Sequence, residues 1–469
     1  MNIMLLFPRW TSEYGIFSHF AKKASTWPPL NLAYLAAIAE KKGHRVKIID
    51  GEAENISINK MIRESHVFKP DIIGITATTP FYHIAAELAR SLKQDNRDIP
   101  IIIGGPHISI LREKVFSPSF DYGFIGEAEE SWSKFLDCYA SKKDISNIKG
   151  LLYRRDNEII FTGMPDAIDA IDSLPIPARH LLKTHEYGIG TLHGRKNFTT
   201  IMTTRGCPFK CIFCSTKVFG SHVRKRSVQL VIDEIKSVIS EFNIRHFIFL
   251  DDTLTLDRDH ILKICSMLKK EKLSITFEGS TRANLVDEEL ISTMAQTGLI
   301  RLSFGLETTD PQVRKVIKKD VPLESYLIAN RLTNKYKIET LNSVMIGLPC
   351  ETRKSVEKTL IYLENAREVH QANFSIATPY PGTELFEMAK KGEYGLRLLS
   401  EDFSKYRRYG SAVMAVNDLS AQDLIALQND GFLRIYSVPW RIIPMLRKSG
   451  ILGSFLMLIR LIKKLMRKK

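Results

Sequence analysis

The sequence predicts an α/β protein. It has an N-terminal doubly wound, Rossmann-like domain over 1–145, a linker over 146–195, a partial (β/α)6 TIM-like barrel over 196–390, and a helical C-terminal region over 391–469. Three observations predict this. Short apolar runs alternate with helical patterns in two series, one ending near residue 140 and one starting at 199. Between them lies Ser173-Leu174-Pro175-Ile176-Pro177-Ala178, a proline-rich break. The end of the chain carries no acidic residue after Asp430 but ten Lys and Arg, a cationic tail.

In the first series Asn2 to Phe7, Arg45 to Asp50, Asp71 to Thr76, Ile101 to Ile103 and Tyr122 to Ile125 read as strands. Pro29 to Lys42 opens on proline, gathers Leu32, Leu35, Ala36 and Ile38 on one side and stops at Lys41-Lys42-Gly43, a crossover helix. The segment 81 to 94 reads the same way. Ligands of doubly wound sheets sit beyond the carboxyl ends of the strands at the switch point. The candidates there are Thr76, Thr78 and Thr79 after one strand and Gly104, Gly105, Pro106 and His107 after another.

In the second series the strands are Thr199 to Thr203, His246 to Leu250, Ser274 to Phe277, Ile300 to Phe304, Thr340 to Ile346 and Asn373 to Ala377. Amphipathic stretches separate them, from Val228 to Glu241 through Asp257 to Lys270, Asp287 to Gln296 and Leu323 to Lys335 to Arg353 to Arg367. Six βα units make a partial barrel, whose working residues belong at strand C-termini.

Composition removes several classes. With 44% hydrophobic and 25% charged residues, the chain is neither disordered, collagenous nor a polytopic membrane protein. Of the formal charge of +15, ten units come from the tail, so the body is nearly balanced. Six cysteines, three of them between 207 and 214, do not make a disulfide framework and point to a reducing compartment. The start lacks a basic n-region and breaks at Pro8, so no signal peptide is expected. No apolar run reaches the roughly 18 to 20 residues that span a bilayer. A cytoplasmic protein is the expectation.

Chemistry concentrates after the first barrel strand, at Arg205-Gly206-Cys207-Pro208-Phe209-Lys210-Cys211-Ile212-Phe213-Cys214. Three thiolates spaced C-x-x-x-C-x-x-C on a loop suit three corners of an iron-sulfur cube, with the fourth iron open to a cofactor. A structural zinc site needs a closed set of four ligands, and no fourth Cys or His stands at a usual spacing.

This stretch resembles radical S-adenosylmethionine (SAM) enzymes. The resemblance implies a 4Fe-4S cluster on Cys207, Cys211 and Cys214, its open iron chelated by the amino and carboxylate groups of the SAM methionine. It places Phe213 near the adenine and Asp251 and Asp252 near the methionine ammonium. Ser280 and Arg282 end the third strand, with Arg282 toward the methionine carboxylate. Glu307 falls near methionine or ribose, and Gly347 near adenine. Taken singly, Asp251-Asp252 also reads as a helix cap and Arg282 as a surface ion-pair partner.

Trp27-Pro28-Pro29-Leu30, Ile103-Gly104-Gly105-Pro106-His107 and Gly126-Glu127-Ala128-Glu129-Glu130 resemble the cobalamin-binding domain that precedes the barrel in one large branch of this family. That adds Gly126 and Glu127 to the cofactor contacts. The D-x-H-x-x-G motif that supplies a lower cobalt ligand elsewhere is absent, and His107 reads as a loop histidine bonded to backbone. His180, Arg224 and Arg226 read as solvated charges.

The implied activity is one-electron cleavage of SAM to a 5'-deoxyadenosyl radical, which takes hydrogen from an unactivated carbon, with cobalamin often delivering a methyl group. The electron comes from a flavodoxin- or ferredoxin-type donor. The run Ser375 to Leu385 is similar to the last-strand loop of relatives that act on hopanoids and tetrapyrroles, with Tyr380 toward the barrel mouth. From Ser454, Phe455, Leu458, Ile459, Ile462, Leu465 and Met466 oppose Arg460, Lys463, Lys464, Arg467 and Lys468, a cationic amphipathic helix suited to an anionic membrane. Trp440 adds an interfacial aromatic. A methyltransferase acting on a lipid-like substrate is therefore expected. Oxidative cyclisation of a tetrapyrrole and tRNA modification are the alternatives. The extra N-terminal cysteines and C-terminal β-rich module of tRNA-modifying relatives are not seen, and no nucleic acid is expected as partner.

Overall fold

Strands buried on both faces need near-continuous apolar runs, and the N-terminal sheet has them. Its strands β1 (Asn2–Phe7), β2 (Arg45–Asp50), β3 (Ile72–Thr76), β4 (Ile101–Gly104) and β5 (Tyr122–Phe124) run parallel in the order β2-β1-β3-β4-β5. The architecture comes from a computed structural model describing residues 1–11, 26–191, 194–215 and 219–441. This is the flavodoxin-like order, with its switch between β1 and β3. Helices α1 (Leu30–Lys41) and α5 (Glu129–Ala140) pack on one face, α2 (Ile58–Phe68) and α3 (Tyr82–Asp95) on the other. Between them in sequence, α4 (Pro106–Leu111) follows β4 directly.

The sheet continues past residue 145, into the expected linker. Strands β6 (Leu151–Arg155) and β7 (Glu158–Phe161) form a hairpin that adds antiparallel to β5. Its two-residue turn, Asp156-Asn157, has positive φ at both positions (51° and 68°), which matches strand twist.

In the second half β8 (Thr199–Ile201), β9 (His246–Phe249), β10 (Thr276–Thr281), β11 (Leu299–Glu307), β12 (Glu339–Ile346) and β13 (Gln371–Ile376) pair in sequence order, all parallel. Helices α6 (Val228–Phe242), α7 (Arg258–Lys270), α8 (Glu288–Gln296), α9 (Leu323–Lys335) and α10 (Arg353–Asn365) cover them. Side chains of Ser227, Asp257, Asp287 and Thr352 cap four of these by accepting from first-turn N–H groups. Glu278 to Thr281 and Gly305 to Glu307, expected beyond the strand ends, lie inside β10 and β11. β10 is shifted and β11 extended because both strands carry their pairing to the mouth of the barrel.

The C-terminal region is not all helical. After α11 (Glu384–Lys391), Leu396–Leu398 pairs with Met414–Val416, and only then does α12 (Ala421–Ser437) begin. α12 closes the open side of the barrel beside β13. Gln428 donates to the Phe374 and Arg408 carbonyls (both 2.8 Å), and Gly431 lies so close to Phe374 that a Cβ would stand 2.9 Å from its ring. The helix runs from Leu424 near Gly347, at the mouth, to Tyr436, whose hydroxyl donates to the Ala372 carbonyl at the base. There the buried Arg441 donates to the Leu363, Ala366 and Val369 carbonyls at 2.6–2.9 Å, satisfying the end of α10. Among the described residues no helix is long and apolar enough to cross a membrane. The cationic helix expected after Ser454 lies outside the described residues.

The linker is fastened to the barrel by charge. Arg179 and Arg226 both donate to Glu234 on α6, each at 2.5 Å, and all three are buried. Arg226 and Arg224 are therefore not the solvated charges the sequence suggests, because carboxylates reach both of them from other elements. His180 is exposed and pairs with Glu40 at 3.0 Å. Burial alone raises the Glu234 carboxyl, but the two guanidinium groups outweigh it and hold it below its ordinary value. This contribution to stability is present above the unfolded-state pKa and is lost as pH falls through the lower folded value. Glu234→Gln leaves two buried guanidinium groups facing a neutral amide, with an expected cost of about 3 to 5 kcal/mol in urea unfolding at neutral pH. The difference from the unchanged protein should shrink in acid.

Candidate active site

The cysteine loop leaves the end of β8. Its base is closed by a two-residue antiparallel ladder, Thr204-Arg205 against Arg224-Lys225. Gly206 has φ +97°, and a Cβ there would meet the His222 carbonyl oxygen at 2.2 Å, so glycine is needed for the closure. Ile212 plugs the loop into the core, its N–H donating to the Ile317 carbonyl (3.3 Å) and its carbonyl accepting from Leu385 N–H (3.0 Å). The Cys214 N–H closes a turn onto the Cys211 carbonyl at 3.0 Å.

All three cysteines line one cavity of about 250 Å³ at the barrel mouth, together with Phe209, Phe213 and Asp252. Among the described residues no three His, Cys, Asp or Glu side chains are gathered around a single ion position. Burial, then the charges of Cys211, Asp252 and Cys207, push the Cys214 thiol up to about 11. Three thiolates on this loop repel one another unless a cationic group sits among them. A donor set of this kind fits an iron-sulfur cluster.

The strands and the residues just after them supply most of the rest of the cavity, through Ser280, Arg282 and Glu307, which the sequence singles out, and also through Thr253, Ser303 and Ser343, while Lys319 enters from a connecting segment. The Arg282 guanidinium carbon lies over the Phe209 ring, 3.7 Å from its centroid, with Nη1 3.8 Å from Cys211 Sγ and Nη2 donating to the Asp320 carbonyl at 3.3 Å. Its buried Nε has no partner, leaving a donor for an anionic ligand. Glu307 sits at a bulge between β11 and β12 with φ +61°, a conformation unusual outside glycine. Its Oε1 is 3.3 Å from Lys319 Nζ. Burial alone lowers the Lys319 ammonium, and the Glu307 carboxylate outweighs that and raises it. Lys319 belongs to no strand end, which is why strand-end reasoning missed it.

Two expected contacts have other duties. Asp251 is buried behind the cavity and accepts from the N–H groups of Thr203 (2.6 Å) and Thr204 (3.0 Å) and from the Thr203 hydroxyl, clamping the end of β8. Only its neighbour Asp252 faces the cavity. Gly347 (φ +93°) is not in the cavity lining. It packs against Leu424, and its N–H donates to the buried Glu351 at 2.7 Å.

In the first domain Thr76 ends β3 and accepts from Asn31 at 3.1 Å, while Thr78 is exposed and Thr79 starts a short turn of 3₁₀ helix. At the end of β4, open space surrounds the position a Gly104 Cβ would take. Gly105 (φ +110°) is glycine for a different reason, since its Cβ would stand 2.4 Å from the Ala77 carbonyl oxygen. His107 opens α4 rather than lying in a loop. It is buried against the rings of Tyr82 (4.5 Å) and Phe403 (5.1 Å), with its Nδ1 unpartnered, and burial lowers its pKa to about 4. An open glycine edge and an orphaned ring nitrogen near the strand ends fit a large polar cofactor such as cobalamin. Gly126 and Glu127 do not join that edge. Gly126 donates to Ser109 Oγ at 2.9 Å, and Glu127 is held in a fork by Arg224 at 2.7 and 2.5 Å.

Substitution separates the two aspartates. Asp251→Ala is expected to cost about 3 kcal/mol in denaturant unfolding, since three hydrogen bonds to a buried charge go with it. Asp252→Ala should leave stability within about 0.5 kcal/mol and weaken SAM binding in equilibrium dialysis. Arg282→Met should weaken that binding by about 2 kcal/mol or more. Cys207→Ala, Cys211→Ala or Cys214→Ala should each abolish the cluster absorption of the anaerobically reconstituted protein.

Comparisons with known proteins agree with this geometry. Residues 201–363 match the radical SAM superfamily and residues 20–136 the B12 binding domain. An uncharacterized methyltransferase of Pyrococcus horikoshii is 32% identical over 418 residues, covering 88% of this chain and 89% of that protein. The anaerobic magnesium-protoporphyrin IX monomethyl ester cyclase of Rubrivivax gelatinosus is 28% identical, over 82% of this chain and 70% of its own. For the hopanoid C-2 methylase of Rhodopseudomonas palustris the values are 23%, 83% and 70%. Among solved structures, the radical SAM methyltransferase TsrM from Kitasatospora setae shares the fold, with a TM-score of 0.72 at 16% identity over 93% of this chain and 88% of that one. With a cysteine loop shaped for a cluster, a cationic and acidic strand-end set around it and a B12-binding sheet in front, the chain belongs to the cobalamin-dependent radical SAM methyltransferase family, whose cofactors are a 4Fe-4S cluster, SAM and cobalamin.

Proposed function

We propose that this enzyme methylates an unactivated carbon of a hydrophobic, lipid- or isoprenoid-like substrate. When bound, the cluster and SAM supply a 5'-deoxyadenosyl radical, and cobalamin supplies the methyl group. The chain's own residues hold and orient. Asp252 offers a carboxylate to the methionine ammonium, Arg282 its free Nε–H to the methionine carboxylate, and Phe213 an apolar face to the adenine. The Glu307–Lys319 pair presents one acceptor and one donor to the polar middle of the ligand. The buried clamp at Asp251 and the Ile212 plug keep water from undermining the loop.

The observation that carries the reading is the joining of the two halves with their strand carboxyl ends face to face. Gly382, in the last-strand loop, lies where a Cβ would stand 2.6 Å from Ile110 on α4, and Phe403 packs on His107. Around this seam Tyr380, Phe403 and Tyr406 form an aromatic cluster with Phe386 and Val413. The half-buried Tyr380 and Phe403 at the edge of this cluster favour a hydrophobic substrate, as do relatives named for hopanoid and porphyrin chemistry. The cyclase relatives favour a second reading, oxidative ring closure on a tetrapyrrole. A flavodoxin- or ferredoxin-type protein is the electron donor we propose in either case.

We further propose that the protein works in the cytoplasm, tethered to an anionic membrane through its tail. The described chain ends at Arg441, at the base of the barrel, where Arg245, Lys272, Lys337 and Arg367 are exposed and Trp440 lies 5.1 Å beneath Arg367. The base is the end opposite the cofactor mouth, which supports the tether.

Anaerobic incubation of the reconstituted protein with SAM, a reductant and lipid extract should release 5'-deoxyadenosine and add one methylene unit to a lipid. Loss of hydrogens without that gain would instead support cyclisation, and no 5'-deoxyadenosine would defeat both readings. Removing residues 442–469 should abolish sedimentation with phosphatidylglycerol vesicles while leaving 5'-deoxyadenosine formation intact. Unchanged sedimentation would defeat the tether.

A further inference from the structure

We infer that four buried charges, Arg205, Arg224, Glu127 and Glu129, form a tie that sets the separation between the cluster and cobalamin, and that they act as positioning residues. The inference rests on the reading above that both cofactors bind in their respective halves. It begins with an apparent conflict. In the ladder that closes the cysteine loop, Arg205 stands directly opposite Arg224. Like charges across a strand pair are unfavourable, and both side chains are buried.

The compensation comes entirely from the first domain. Glu127, in the turn between β5 and α5, accepts from Arg224 Nη1 at 2.7 Å and Nη2 at 2.5 Å and lies 3.7 Å from Arg205. Glu129, at the first position of α5, accepts from Arg205 at 2.5 Å. Arg205 also lies between the rings of Tyr34 (5.6 Å) and Phe219 (5.5 Å). Neither half of the molecule can bury its two charges alone. Only the docked arrangement pairs them.

The tie reaches both cofactor edges through the backbone. On the barrel side Arg205 is two residues before Cys207. On the other side Gly126 N–H donates to Ser109 Oγ, whose hydroxyl donates to the Gly105 carbonyl at 2.8 Å, beside the open edge at Gly104. Arg224 also donates to the Phe219 carbonyl (2.8 Å) inside the loop and to Ile168 (2.9 Å) in the segment between the domains. A bidentate fork fixes direction as well as distance, which an apolar contact does not. A buried ion pair is weak evidence of stabilisation in itself, so geometry is the more specific service it renders here. Methyl transfer demands such geometry, because misplacement by about 1 Å costs on the order of 10²-fold in rate.

Pulsed dipolar electron paramagnetic resonance on the holoenzyme tests this, with the cluster reduced and the cobalt in its paramagnetic divalent state. The unchanged protein should give one narrow cluster-to-cobalt distance. Glu127→Gln should retain cluster and cobalamin contents but shift the distribution to longer values and lose its narrow component. Glu129→Gln, which leaves the fork on Arg224 in place, should broaden it less and serves if Glu127→Gln does not fold. The ratio of methylated product to 5'-deoxyadenosine should fall in the same order. A distribution unchanged in every variant that folds overturns the tie. Absence of a dipolar signal in the unchanged holoenzyme would instead overturn the reading that two paramagnetic cofactors face one another.

Discussion

A loop that must bring three sulfurs to one face cannot use regular backbone hydrogen bonding, so its shape has to be imposed from outside. The rest of this structure follows from that constraint. Asp251 clamps the strand end that launches the loop, Ile212 anchors its middle in the barrel core, and Gly206 lets its two arms close against His222. The charges at its base are matched from another domain. Each device is a buried, directional contact, which gives a loop the rigidity that a cofactor site on a helix or strand would have by default.

The same principle explains where polar groups are buried. Many of the buried charges belong to three networks. Arg179, Arg226 and Glu234 fasten the linker, and Arg205, Arg224, Glu127 and Glu129 fasten the cysteine loop. The third, His246, Glu278, Arg301 and Glu339, passes from strand to strand across β9 to β12 near the barrel base, with links of 2.8, 2.9 and 3.3 Å. The cavity differs. There Asp252 keeps a solvent-exposed carboxylate beside the cysteines, and it is at such an open group that a ligand gains most.

Much of this was legible in the chain. The eleven parallel strands announce themselves as apolar runs between helical patterns, because buried strands and amphipathic helices obey different periods. The β6–β7 hairpin reads as linker because its strands are short and β7 is largely half-buried, although Asp156-Asn157 is a turn signal that reveals it. The three cysteines were legible because their spacing has few other uses. Asp251 and Asp252 were not separable, since adjacent residues leaving a strand point to opposite sides and the sequence does not say which faces the ligand. Glu127 looked like part of a cofactor motif and proved to be an arginine partner, and Lys319 was invisible because a connecting segment carries it in. In each case the missing information was a contact between segments far apart in sequence.

The central claim is that the cysteine loop leaves one iron without a protein ligand and that SAM docks on it. Electron-nuclear double resonance of the reduced protein with SAM labelled by ¹⁵N at the methionine amino group addresses it directly. The account predicts a ¹⁵N coupling to the cluster in the unchanged protein. A cluster that forms and binds SAM yet shows no such coupling would contradict it.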